Sequence, residues 1–515
     1  MGNRSADVVI VGAGPVGLVA SILLSWNGID HLVLEKEPDV SRHPKARGVS
    51  AASMEVLRRL GLEDQVRAAG LAGDQVAFYR GRSLVDPDFA RQVAASTTAT
   101  STAVTPCPGL ICSQDVLETL LRTEAQNRAP GAIQLGYEVL GYVSNEDGVR
   151  ISAADIARHQ VCDLQARYLL GCDGAGSVVR RGSGIEMQGT RGLGYFTSVR
   201  FRADLADVVA DRASASYFLT PPARGGFMAV DNKNEWIYQY PFDPATEDPG
   251  AFGERRWAVL IASAVGIDGL AVEVLDTLDW RMDACLAQRY RRNRIMLAGD
   301  AAHLVPPTGG HGMNLGIGDA ENLIWKLAAV LRGQASQAVL DTYETERRPI
   351  AAEVLEIATE NATARGGYRI DDTLLLSPTY ASTAIASCAS HSASFLRPGG
   401  GSSTAEPGQR LPHLWCGGVV SGISTLDTPA DRFVVLHGPP TAAAWRREVH
   451  SAARKGLLTT DQVLLRQSDW DAFTELCGLG SEGALLVRPD RYIAWRTDRA
   501  PHPGVLAEVL VSLFG

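Results

Sequence analysis

The 515-residue chain exceeds one ordinary domain, and a make-up of 45% hydrophobic and 21% charged residues excludes a disordered chain. A formal net charge of −9 argues against duplex nucleic acid as the main partner, and no apolar stretch reaches the ~20 residues that span a bilayer. Eight cysteines without a CxxC pair indicate neither a metal site nor a disulfide framework; with no signal-peptide pattern at the start, a cytoplasmic protein is expected.

Glycine is abundant, at 52 residues, and its placement is informative. Val8-Val9-Ile10-Val11 reads as a strand buried on both faces, and Gly12-Ala13-Gly14-Pro15-Val16-Gly17 follows at once. A helix is expected from Leu18 to Trp26, then a strand, His31-Leu32-Val33-Leu34, ending at Glu35. This βαβ context turns a GxGxxG string into a dinucleotide signal. Gly12 allows the tight turn, Gly14 lets a pyrophosphate approach the backbone, and Gly17 lets helix and strand pack closely. The helix start offers N–H groups to the phosphates, and Glu35 is placed to accept from a ribose diol. Ser113 is expected to cap a helix carrying Val116, Leu117, Leu120 and Leu121 on its apolar face. Residues 96–108, rich in serine and threonine, read as a mobile loop.

A second strand-to-turn junction is Leu169-Leu170-Gly171-Cys172-Asp173-Gly174, with Ser177 expected to cap the next short helix. Between residues 186 and 285 the pattern changes to short alternating segments, the signature of an antiparallel sheet. Trp236, Tyr238 and Tyr240 share one face there by period two. A third junction, Met296-Leu297-Ala298-Gly299-Asp300, enters a glycine-dense loop through Gly316, and a helix is expected over 319–331. Three junctions at strand carboxyl ends suit a ligand longer than a mononucleotide. Beyond residues 386–412, a linker by composition, a strand at 433–436, a helix at 442–453 and a hairpin with Pro489-Asp490-Arg491 at its turn complete the chain.

Together the GxGxxG string with Glu35, the Cys172-Asp173-Gly174 box and the Gly299-Asp300 box resemble the FAD-dependent aromatic hydroxylases of the para-hydroxybenzoate hydroxylase and phenol hydroxylase type, most of all the tailoring oxygenases of aromatic polyketide pathways. The resemblance implies an α/β fold: a Rossmann-like FAD-binding domain, an interwoven antiparallel-sheet substrate domain and a C-terminal thioredoxin-like domain. It places FAD at residues 1–75, 107–185 and 286–395, the substrate sheet at 76–106 and 186–285, and a thioredoxin-like unit without redox cysteines at 396–515. It implies that Gly12, Gly14, Pro15, Val16, Gly17, Glu35 and Lys36 hold the adenosine half of FAD. Arg47, Gln114, Asp173, Gly174 and Asp300 are implied nearer the flavin side. Pro307, Gly310, Gly312, Met313, Asn314 and Leu315 would line the isoalloxazine, with the amides of Asn314 and Leu315 facing its pyrimidine ring. Phe227, Met228, Trp236 and Tyr238 are the implied substrate-lining residues. Arg491 occupies a turn position where the family more often has glycine.

The activity implied is monooxygenation: NADPH or NADH, visiting transiently, reduces FAD, and O2 adds to give a C4a-hydroperoxyflavin that hydroxylates a phenolic or polycyclic aromatic in secondary metabolism. Baeyer–Villiger or ring-opening chemistry on the same scaffold is an alternative, as is a flavoprotein that sequesters a reactive intermediate without oxygenating it. No side chain is assigned as catalytic base; His303 and His311 read as structural hydrogen-bonders. Arg42, His43 and Lys45 are candidates for a nicotinamide donor's 2′-phosphate. A homodimer is expected to be possible.

Overall fold

The computed structural model describes residues 4–39, 46–72, 77–93, 103–212, 216–363, 373–386, 405–417 and 422–515. Arg42, His43, Lys45, most of the 96–108 loop and the glycine-rich linker around Gly400 lie outside these residues. No helix among the described residues is long and apolar enough to cross a membrane.

The first sheet runs Arg291–Arg292, Ile295–Leu297, Gln160–Gly171, Arg4–Val11, His31–Glu35, Ile133–Leu135, and every pairing along this order after the first is parallel. Val8, Val9 and Ile10 are fully buried, as a strand covered on both faces requires. The Pro15–Trp26 helix packs against the Gln114–Arg128 and Gly312–Leu331 helices on one side of this sheet. That last helix begins seven residues earlier than the sequence suggested, because its glycines are spaces for neighbours rather than loop residues. A Cβ on Gly316 would stand 2.5 Å from Val16 Cγ2.

The second sheet is antiparallel except for one pairing, and is built round two long strands, Met187–Arg202 and Glu273–Ala287. Ala77–Gly81 and Ala90–Val93 join one edge and His303–Leu304 the other, so the chain enters this sheet from both sides of the nucleotide fold. The Glu254–Val265 helix covers one face through Trp257 and Ile261.

The C-terminal sheet has the order Thr460–Leu464, Phe433–His437, Ala484–Val487, Ile493–Thr497, with the first pair parallel and the others antiparallel. With helices Ala442–Arg454, Gln467–Cys477 and Val505–Phe514, this βαβαββα succession is thioredoxin-like. Its core is continuous with that of the first sheet: Trp325 meets Phe433 and Phe514 edge-on at 5.4 and 6.1 Å.

Candidate active site

The three junctions lie side by side because their strands are adjacent and in register: Val11 pairs with Gly171, and Gly171 with Leu297. One backbone bond past each strand end keeps them level. Gly12 N–H donates to Leu34 O at 2.8 Å, Cys172 N–H to Val11 O at 2.8 Å, and Ala298 N–H to Gly171 O at 2.9 Å. Gly12 adopts φ +101°, and a Cβ there would lie 2.4 Å from Cys172 O. On Gly17 it would lie 2.1 Å from Gly12 O. Gly14 is different: nothing of the protein stands within 4 Å of where its Cβ would be. The loop is therefore closed on its strand side and open at Gly14, the shape a pyrophosphate needs.

Two helices start at this edge without a side-chain cap. Gly14 is the N-cap of the Pro15–Trp26 helix, with Leu18 N–H making its first bond to Gly14 O at 3.0 Å. His311 is the N-cap of Gly312–Leu331, and Leu315 N–H donates to His311 O at 2.8 Å. The amides of Gly312, Met313 and Asn314 therefore precede the first helical bond, whereas that of Leu315 is already used. Of the two amides implied to face the pyrimidine ring, that of Asn314 precedes the first helical bond and that of Leu315 makes it. Glu35 braces the glycine loop, accepting from Ala13 N–H at 2.7 Å and Glu37 N–H at 2.9 Å, and Lys36 beside it is exposed. Asp300 is exposed although Ala298, Gly299 and Ala301 around it are buried, and Pro307 and Gly310 are exposed in the same loop.

Other expected residues hold the scaffold. Asp173 accepts from Ser177 Oγ at 2.5 Å and from the amides of Val178 and Val179 at 2.7 and 3.1 Å, so it anchors the short helix behind Gly174. Ser177 caps that helix as expected, accepting from Arg180 N–H at 2.9 Å. Ser113 occupies the N-cap position but donates its hydroxyl to Asp115, so it does not cap. Gln114 clasps the segment before Arg47, accepting from Ala46 N–H at 3.0 Å and donating to Glu118 at 2.6 Å. Arg47 is buried, and desolvation pulls its guanidinium down to about 10. Asn314 ties the glycine-dense loop down: its amide nitrogen donates to Gly48 O and Gly310 O at 2.9 and 2.7 Å, and its oxygen accepts from Ser50 N–H at 2.9 Å.

Sequence reasoning missed Asp319. This wholly buried carboxylate accepts from Gly299 N–H at 3.2 Å, His303 Nε2 at 2.7 Å and Arg347 Nε at 2.9 Å. Those partners overcome its desolvation and hold it below the usual carboxylate range. An acidic residue on the apolar face of a helix that packs under Gly299 was the available signal.

The antiparallel sheet corrects three substrate-lining expectations. Phe227, Trp236 and Tyr238 are 1%, 0% and 3% exposed and lie in the closed apolar cluster with Trp257 and Ile261. Only Met228 faces the other way. On that face Trp280 stacks on Phe196 at 4.6 Å and donates its indole N–H to Ser198 Oγ at 2.9 Å. Gln239 accepts from Ser198 Oγ at 3.0 Å and donates to Met228 Sδ at 3.5 Å. Phe196, Met228 and Trp280 are each half-buried, leaving a partly open aromatic surface.

A glycine edge with an open side at Gly14, two helix starts and three strand ends fits a dinucleotide with a long second half, and FAD is such a molecule. The fold and this edge define a flavoprotein monooxygenase. Residues 5–358 match the family described as FAD binding domain, and residues 404–515 match the aromatic-ring hydroxylase C-terminal family. The chain belongs to the FAD-dependent aromatic-ring hydroxylases. It is 34% identical to tetracenomycin A2 monooxygenase-dioxygenase of Streptomyces glaucescens, over 97% of this chain and 95% of that protein. It is also 34% identical to an aklavinone 12-hydroxylase of Streptomyces purpurascens, over 97% of each. Among solved structures, a ternary complex of aklavinone-11 hydroxylase with FAD and aklavinone superposes with a TM-score of 0.88 at 32% identity, covering 100% of both chains. The flavin-dependent monooxygenase PieE, solved with FAD and substrate, gives 0.89 at 25% identity, covering 100% of this chain and 99% of that one.

Proposed function

We propose that this chain uses NADPH or NADH and O2 to hydroxylate a phenolic or polycyclic, polyketide-like aromatic in secondary-metabolite biosynthesis. The observation that carries the reading is a half-open aromatic sheet face in a chain whose three nucleotide-binding junctions sit level at one sheet edge. Full-length similarity to enzymes named for tetracenomycin and aklavinone supports the substrate class.

In this reading residues 1–75, 107–185 and 286–395 form the FAD unit, 76–106 and 186–285 the substrate unit, and 396–515 the C-terminal unit. The amides at the start of the Pro15–Trp26 helix hold the pyrophosphate, and Glu35 accepts from the adenosine ribose. Asp300 accepts from the ribityl hydroxyls, and Arg47 neutralises charge near the pyrophosphate. The amides of Gly312, Met313 and Asn314 face the carbonyl end of the ring, where electron density collects on reduction. When bound, FAD supplies electron transfer from the nicotinamide and the activation of oxygen. The protein's task is to orient an aromatic substrate and keep the site dry. Phe196, Met228 and Trp280 present the surface for that substrate, with Ser198 and Gln239 fixing the indole.

The test mixes the purified FAD-loaded chain with NADPH or NADH, oxygen and a panel of hydroxylated polycyclic aromatics. Substrate-stimulated nicotinamide oxidation, with a product heavier by one oxygen atom and hydroxylated on a ring, is the expected result. No stimulation across the panel overturns it. Trp280→Ala is expected to raise KM about ten-fold, the order of one lost aromatic contact. Trp236→Ala is expected to lower the melting temperature instead.

A further inference from the structure

The turn Pro489-Asp490-Arg491 of the C-terminal unit reaches into a buried ionic seam against the flavin-loop helix. Arg491 stands at φ +68°, a left-handed conformation that side chains rarely adopt. The residue is 4% exposed, and its guanidinium grips two carboxylates on two different helices. Nε and Nη2 donate to Glu321 at 3.1 and 2.7 Å, and Nη1 donates to Glu55. Glu321 belongs to the Gly312–Leu331 helix and Glu55 to the Ala51–Arg59 helix.

These are the helices joined at the flavin end. Asn314, in the first turn of one, bonds Ser50, the N-cap of the other, and Gly48 before it. Asn314 and Glu321 are seven residues apart, two helical turns or about 10 Å. Arg59, the last residue of the Ala51–Arg59 helix, ties that helix to Glu321 directly, and Arg491 is a further tie between the same two helices, supplied from a unit with no residue in the cofactor edge. Each carboxylate also has another arginine: Arg59 Nη1 donates to Glu321 at 2.8 Å and Arg410 Nε to Glu55 at 3.1 Å. Neutralising charge does not require a residue that spans both, and a non-glycine residue is held left-handed in order to span them.

We propose that Arg491 is a positioning residue for the flavin: it fixes the spacing of the two helices whose N-terminal ends hold the flavin loop. The C-terminal unit thereby tunes the cofactor without touching it. The proposal rests on the FAD assignment, which the wild-type chain tests first.

The experiment titrates FAD into the full-length apoprotein by flavin fluorescence, then measures the flavin reduction potential and the melting temperature. Arg491→Gly suits the left-handed backbone and removes the guanidinium; Arg491→Lys keeps the charge but cannot form the two-helix fork. Phe473→Leu, inside the C-terminal apolar cluster, is the destabilised control. Arg491→Gly is expected to raise the FAD Kd about ten-fold and to displace the potential, with Arg491→Lys intermediate and Phe473→Leu lowering only the melting temperature. Should Arg491→Gly fail to fold, Arg491→Lys carries the same comparison. Unchanged Kd and potential in the folded Arg491 variants overturn the proposal, as does an equal loss of FAD affinity in Phe473→Leu. A wild-type chain that binds no FAD overturns the flavin assignment itself, a result distinct from any difference between variants.

Discussion

The cofactor edge and the ionic seam are two polar regions built in opposite ways. At the edge, glycines leave out side chains so that backbone can meet backbone and ligand: Gly12 against Cys172, Gly17 against Gly12, and open space at Gly14. In the seam, long charged side chains are sunk out of water and every charge is answered. Arg488 donates to Glu346 at 2.7 and 2.8 Å and to Asp490 at 2.9 Å, and Lys326 Nζ reaches Glu346 and Asn322 at 2.7 Å each. The difference teaches what each tolerates. The closed side of the edge, at Gly12 and Gly17, cannot accept an added atom, and the seam cannot lose a charge.

The largest expected effect is in the seam. Arg488 is wholly buried and also lies over the rings of Trp325 and Tyr380, at 5.0 and 5.5 Å. Arg488→Met leaves buried carboxylates short of a partner, and breaking such a group costs about 3–5 kcal/mol. Denaturant unfolding is the measurement, and adding Asp490→Asn should recover part of the loss. The folded fraction should keep the wild-type FAD Kd, because Arg488 does not tie the Ala51–Arg59 helix to the flavin loop. A stability within experimental error of wild type would show the seam to be replaceable by apolar packing.

The next effect breaks the edge. In Gly12→Ala the methyl would collide with Cys172 O at 2.4 Å in a backbone conformation hostile to alanine, so two strand ends must part. FAD affinity should fall about 100-fold, since misplacement on this scale is felt strongly at a ligand. Gly14→Ala sharpens the comparison: its methyl meets no protein atom, so the melting temperature should hold while FAD binding weakens. Equal behaviour of the two variants in FAD titration and thermal unfolding would deny that the edge has a closed side and an open side.

The same contrast explains what the sequence could reveal. The glycine boxes were legible because each is contiguous and its chemistry is local to a strand and its turn. Helical glycines were not: Gly316 and Gly318 read as loop, yet Val16 and Arg347 fill the places of their missing side chains. Period two put Trp236 and Tyr238 on one face, but it cannot say which face a helix will cover. Trp257 and Ile261, four residues apart on Glu254–Val265, decide that. The seam was invisible in the sequence. Arg491 and Glu55 are 436 residues apart, and no local spacing announces such a pair.

The smallest expected effect is a pH signature of the seam. Desolvation pulls Lys326 down from 10.5 to about 8 despite Glu346 beside it. Between those values the unfolded chain holds a proton that the folded chain has lost, so stability rises with pH, by at most about 1.4 kcal/mol per pH unit. Buried thiols oppose this at higher pH. Cys112 and Cys416 are pushed up from 9.0 to about 11, so the folded chain keeps protons that the unfolded chain releases, and stability falls above about pH 9. The lysine is therefore isolated between pH 8 and 9. There the melting temperature of the wild type should rise relative to Lys326→Met, which retains Arg488 on Glu346. Parallel curves would mean that Lys326 stays charged throughout and that the seam holds its full complement of ions. On the acid side stability again rises with pH. Glu346 is held far below its ordinary 4.5 by Arg488 and Lys326, and that stabilisation is present above 4.5 and is lost as pH falls below it. Glu346→Gln should flatten that acid limb only in part, because Asp319 beneath Gly299 at the edge is likewise held below the usual carboxylate range.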